Sequence, residues 1–157
     1  MSKRLVYFNG SYIPEIEARI SIFDSALMVG DMVFEMTRTF NQVPFRLREH
    51  LERLYASIRY AHIDCPLTID DMEEATMQTI ERNLPMLEGY DFQIMHDVTR
   101  GGLAIYDTLI KEGTNPIVTI NVIPLVRHLG NQVESYEKGS HFIVPSQQSV
   151  PSRYIDP

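Results

Sequence analysis

Two short apolar stretches, Leu5-Val-Tyr-Phe8 and Tyr12-Ile13, flank Asn9-Gly10 near the start of the chain. An Asn-Gly pair between apolar runs predicts a tight β-hairpin that opens a sheet. Pro14 to Arg19 is polar connection, Ile20-Ser-Ile-Phe23 is briefly apolar, and Gly30-Asp31 introduces a longer segment, Met32 to Phe40. There Phe34, Met36, Arg38 and Phe40 alternate with Val33, Glu35, Thr37 and Thr39, a period of two and therefore a strand. Arg38 shares its face with three apolar residues. It is either an edge-strand arginine with its head in water or a cationic donor at the rim of a pocket lined by Phe34 and Met36, and the pattern leaves both open. Asn41 to Phe45 turns the chain back as a second hairpin, with Pro44 suited to an edge or a bulge.

The period then changes. Leu47, Leu51, Leu54, Tyr55, Ile58 and Ala61 recur at helical spacing, predicting a helix over about 47 to 62 that ends before Asp64-Cys65-Pro66. At 100° per residue Arg53 falls outside that stripe, where a generic helix carries a solvated charge. A second helix is predicted from an N-cap at Thr68, with Asp70 and Asp71 in its first turn, to about Leu84, its methionines filling core. β-rich runs follow at Phe92 to Thr99 and at Ile117 to Ile123, the latter bounded by Pro116 and Pro124, with Arg100 to Asn115 between them mostly loop. His141 to Val144 reads as a last strand, and after Pro145 the chain is polar and proline-punctuated, like a linker. Strands grouped around two successive helices, without βαβ alternation, predict an α+β fold with a mostly antiparallel sheet.

Composition narrows the function more than the fold. With 157 residues, 44% hydrophobic and 22% charged, the chain can bury the core of one domain. A net charge of −7 and a pI near 5.2 argue against nucleic acid, which is bound through clustered cations. Arg46, Arg48, Arg53 and Arg59 are nonetheless a local positive concentration suited to a small anion. The histidines at 50, 62, 96, 128 and 141 lack metal-ligand spacing, so no metal site is expected. Cys65 is the only cysteine, which fits a reducing compartment. No apolar run approaches the ~18 residues of a membrane span, and Met-Ser-Lys-Arg leads into a strand-like segment, so a cytoplasmic protein is expected.

Four motifs occur in order: Phe8-Asn9-Gly10, Gly30-Asp31-x-Val33-Phe34-Glu35, Arg48-Glu49-His50-Leu51-Glu52-Arg53-Leu54 and Val98-Thr99-Arg100-Gly101. Together they resemble the small domain of the fold type IV pyridoxal-phosphate enzymes, the branched-chain and D-amino-acid aminotransferase group. The resemblance implies that Arg53, in the setting His-x-x-Arg-Leu, contacts the phosphate of pyridoxal 5'-phosphate, a task that suits a planar guanidinium. It also implies that Phe34, Met36 and Arg38, joined by Gln93 and Met95 of a neighbouring strand, face the substrate. The implied reaction is transamination between an amino donor and a 2-keto acid acceptor, in a homodimer.

The pattern is incomplete in two respects. The family's catalytic lysine matches none of Lys3, Lys111 and Lys138, and Ser152-Arg153-Tyr154-Ile155-Asp156-Pro157 is similar to the stretch that leads into it. The expected organisation is therefore a small domain over 1–145, an interdomain linker over 146–157 and a cofactor domain beyond, with the lysine just after Pro157. The family's D-amino-acid members have tyrosine where this chain has Phe34, and an Arg-x-His where it has Gly101-Gly102-Leu103-Ala104-Ile105-Tyr106. D-amino-acid specificity is thus not expected, and Arg38, Arg100 and Arg127 remain candidates to meet a carboxylate. Branched-chain and amine-type transaminases and an aminodeoxychorismate lyase-like enzyme stay open. So does a non-catalytic binding or dimerisation module that lacks the cofactor domain.

Overall fold

A computed structural model describes residues 4–106, 108, 115–129 and 133–146. Strands β1 (Leu5–Phe8) and β2 (Ser11–Pro14) form the first hairpin through Asn9 and Gly10, whose φ angles are 45° and 89°. Two successive positive φ angles match the right-handed twist of the strands, which is why Asn-Gly suits the turn. A single 3₁₀ turn, Glu15–Glu17, and a short helix α1 (Ser25–Val29) lead to β3 (Met32–Phe40). The hydrophobic pattern gives no sign of α1, which is too short to show a period. It is one turn and a half, held by Asp24, which accepts from the Ala26 amide at 2.8 Å, and closed by Gly30 at φ 74°.

β3 turns through Asn41 and Gln42 into the two-residue β4 (Val43–Pro44), so Pro44 sits on an edge strand as expected. Gln42 holds a φ of 63°, costly for a residue with a Cβ. The Asp91 carboxylate offsets this by accepting from the Gln42 amide and from the Thr39 hydroxyl, both at 2.8 Å.

Helices α2 (Leu47–Tyr60) and α3 (Ile69–Leu87) follow. Thr68 caps α3 in a reciprocal capping box with Asp71, as its sequence predicts. Strands β5 (Phe92–Thr99) and β6 (Val118–Pro124) complete the sheet, and two short helices, α4 (Leu125–Leu129) and α5 (Val133–Lys138), come after it.

The sheet has the order β2-β1-β6-β5-β3-β4 with antiparallel pairing, so the fold is the expected α+β arrangement. The two long helices cover one face. Leu47, Leu51, Leu54 and Ile58 of α2, with Met72 and Ile80 of α3, pack on Phe92, Ile94, Val98, Val118, Ile120 and Val122. Of the α3 methionines Met72 is core, but Met77 is exposed.

His141–Val144 is not a strand. Its backbone is irregular, Phe142, Ile143 and Val144 are exposed, and it pairs with no strand of the sheet, since β-prone composition without a ladder does not make a strand. Of the expected linker, 147–157 lie outside the described residues, as do Lys3, Lys111 and Arg153.

Candidate functional site

The alternation along β3 is real, but its polarity is opposite to a simple amphipathic strand. Glu35, Thr37 and Thr39 turn in under the helices and are buried, while Phe34 and Met36 are 60% and 43% exposed on the other face. β3 pairs with β5 in the register Phe34↔Asp97, Met36↔Met95 and Arg38↔Gln93. All five residues expected to face a substrate therefore form one contiguous patch on the sheet face away from the long helices. β6 extends it through Asp97↔Thr119, Met95↔Asn121 and Gln93↔Ile123.

At one end of this patch Met36, Arg38 and Gln93 line a cavity of about 300 Å³ together with Phe45, His50 and Leu125. The Arg38 guanidinium lies 4.3 Å from the centre of the Phe40 ring, and its Nε donates to the Thr39 carbonyl at 3.1 Å. The Arg38 head thus stacks on an aromatic ring and lines the cavity.

Arg53 projects from α2 with its side chain 68% exposed, outside the local core as the helical stripe predicted. It is nonetheless anchored. Its Nε donates to Glu35 Oε2 and its Nη2 to Glu35 Oε1, both at 2.6 Å, a bidentate pair with a carboxylate that is only 4% exposed. His50 Nδ1 lies 2.9 Å from the same Oε1, and the Met36 amide donates to it at 2.9 Å. Burial pushes the Glu35 carboxyl up, but the hydrogen bonds from Arg53, His50 and the Met36 amide outweigh it and hold the group at about 2. Glu35 in turn raises the Arg53 pKa through that hydrogen bond.

A guanidinium has five N–H donors, so Arg53 presents a fixed plane with donors left for a second acceptor. Sequence reasoning missed this role of Glu35. The available signal was an ionisable residue between inward-facing positions of a strand, which demands a buried partner.

The other arginines are mostly committed. Arg48 pairs with Asp70 at 2.5 Å and Glu73 at 2.8 Å, and Arg46 with Glu49 at 3.4 Å, so two of the four arginines in the positive concentration are held by surface acids. Arg100 is a structural clamp rather than a free carboxylate ligand. It pairs with Asp31 at 2.5 Å and donates to the Ala61 and His62 carbonyls at 2.6 and 2.8 Å, where the C-terminal end of α2 favours a cation. Arg127 lines a separate cavity of about 140 Å³ with Asn83 and Pro124. Arg38 is left as the arginine on the patch.

Among the described residues no group of histidine, cysteine or acidic side chains is arranged to hold a metal ion. Lys138, the one described lysine, is exposed on α5 and paired with Glu134. The arrangement fits the phosphate end of pyridoxal phosphate, through the outward donors of Arg53, and the wall of a pocket beside it. The described residues do not include a lysine placed to bond the aldehyde.

The fold that carries these residues belongs to a known class of domain. Residues 32–153 match the model of the amino-transferase class IV family, and the chain belongs to that family. It is 41% identical over 78 residues to a putative branched-chain-amino-acid aminotransferase of Methanocaldococcus jannaschii, an alignment covering 50% of this chain and 27% of the relative. The fold superposes on the branched-chain amino acid aminotransferase of Escherichia coli with a TM-score of 0.65 and 26% identity, covering 76% of this chain and 39% of that one. It superposes comparably on the branched-chain aminotransferase of Thermoproteus uzoniensis solved with norvaline, with a TM-score of 0.62, 28% identity and coverages of 76% and 40%. The chain thus matches between about a quarter and two fifths of these relatives' lengths.

Proposed function

We propose that this chain is the small domain of a pyridoxal-phosphate-dependent transaminase, which moves an amino group between an amino acid or amine and a 2-keto acid. The observation that carries the reading is the Arg53–Glu35–His50 array beside the β3–β5 patch. A buried carboxylate fixes the guanidinium plane, so little side-chain entropy remains to be lost when its outer donors meet a phosphate dianion.

Pyridoxal phosphate, when bound, supplies the electron sink for breaking the substrate's Cα–H bond. Arg53 holds its phosphate group, Glu35 orients Arg53, and His50 shares the Glu35 carboxylate. Phe34, Met36 and Met95 form an apolar wall that keeps water from one side of the substrate. Arg38 and Gln93 offer the donors at the end of that wall, and Arg38 is the group suited to a carboxylate. The nucleophilic lysine and the proton carrier come from outside the described residues.

The test is to mix the full-length protein with pyridoxal phosphate, look for the absorbance band of lysine-bound cofactor, and fix it with borohydride. A trapped lysine adduct and amino transfer to a keto acid are the expected results. No trappable band sinks the enzyme and leaves the binding module.

A further inference from the structure

Asp97 lies on the patch, between Phe34 on β3 and Thr119 on β6, and neither the family motifs nor the Arg53 array gives it a role. One carboxylate oxygen accepts from the Thr119 hydroxyl at 3.0 Å, and no cation or further donor meets the carboxylate among the described residues. Burial raises its pKa, against the lowering effect of the Thr119 hydrogen bond. One step along β6, Asn121 Oδ1 is buried and accepts no hydrogen bond among the described residues. The next residue of β5 on this face, Thr99, donates its hydroxyl to the buried Asp24 at 3.0 Å and adds no positive charge. Arg38 is two residue pairs away along the sheet, on the order of 13 Å, and leans on Phe40. The Asp97 end of the patch is thus rich in acceptors and lacks a cation among the described residues.

We propose that Asp97 and Asn121 form a subsite for a positively charged nitrogen on the substrate's side chain, an ammonium or guanidinium, so that the amino donor is a cationic amino acid or a diamine. This rests on the transaminase reading above and narrows its substrate class. An aliphatic side chain seated here would desolvate the carboxylate, leaving it the Thr119 hydroxyl alone and Asn121 Oδ1 unpaired, whereas an ammonium brings three donors and the opposite charge. Sites built around a buried polar group discriminate strongly against an isostere that lacks the partner.

Ornithine and norvaline are matched probes, because they share a three-carbon side chain and differ by the terminal ammonium. In the full-length protein loaded with pyridoxal phosphate, kcat/KM for ornithine should exceed that for norvaline by at least about tenfold, and Asp97→Asn should cut that ratio by about tenfold or more. Because Asp97→Asn is isosteric, a ratio unchanged in the variant overturns the proposal, as does a wild-type preference for norvaline. A second readout needs no turnover: 1,4-diaminobutane added to the full-length protein should shift the Asp97 carboxyl resonance in ¹³C NMR, and n-butanol should not. If no amino transfer occurs with any donor, the transaminase reading falls and the diamine titration alone decides. A resonance that diamine leaves unmoved then refutes the subsite.

Discussion

His96 shows how much one buried side chain can set. It is fully buried on β5, and its Nε2 lies 2.9 Å from the Thr76 hydroxyl. That hydroxyl has one proton, which it donates to the Met72 carbonyl at 2.6 Å. The other ring nitrogen, Nδ1, is buried without a hydrogen-bond partner among the described residues. Burial lowers the His96 pKa from 6.5 to about 4. Between those values the unfolded chain binds a proton that the folded chain does not, so stability is complete above pH 6.5 and falls as pH drops toward 4. The loss should be on the order of 3 kcal/mol, and urea denaturation at pH 7 and pH 4.5 will reveal it if His96→Gln flattens the difference. Glu35 governs a second, more acidic window. Its pKa is depressed, so its contribution is present above 4.5 and fades as pH falls toward 2. Arg53→Ala should lower the denaturation midpoint as well as phosphate affinity, since it strips a buried carboxylate of its main partner. Glu35→Gln on that background should recover much of the midpoint and none of the phosphate affinity.

At the scale of elements, what was legible in sequence was whatever rests on local chemistry. The Asn9-Gly10 hairpin, the α2 stripe and the Thr68 cap are each specified within a few residues, and the structure has them. What was not legible depended on partners distant in the chain. Phe142-Ile143-Val144 has strand-like composition but no ladder to join, and β propensity alone does not make a strand. Asn83 is a buried polar residue of α3. In the fold its amide accepts from the Leu5 amide at 2.9 Å and donates to the Leu5 carbonyl at 2.8 Å, standing in for a strand at the end of β1. Asn83→Leu should cost about 2 to 3 kcal/mol, because it leaves both backbone groups of Leu5 unpaired without creating a void. Thr68→Ala should cost only about 1 kcal/mol, the usual worth of an exposed cap, and thermal melts of the two variants will rank them.

The whole molecule is asymmetric about its sheet, and that asymmetry explains why the site was only half visible beforehand. One face is closed by α2 and α3, and its residues follow ordinary core logic. The other carries Phe34 and Met36 in the open while Glu35, Thr37 and Thr39 occupy the inside of the same strand. Alternation located both faces but could not say which was inward, because the polar residues inside are paired by Arg53, His50, Phe45 and Asp91 from elsewhere in the chain. An open face of this kind, with Phe40 and Phe45 exposed beside it, is more apolar than a sheet surface meant for water. The 157-residue chain alone should therefore self-associate with rising concentration and bind a hydrophobic dye, and both should weaken in Phe34→Ser/Met36→Lys. The pair is exposed, so melting temperature should barely move. Light scattering together with the melt distinguishes this from general misfolding: loss of association at unchanged melting temperature assigns the stickiness to the patch, and association that persists places it elsewhere.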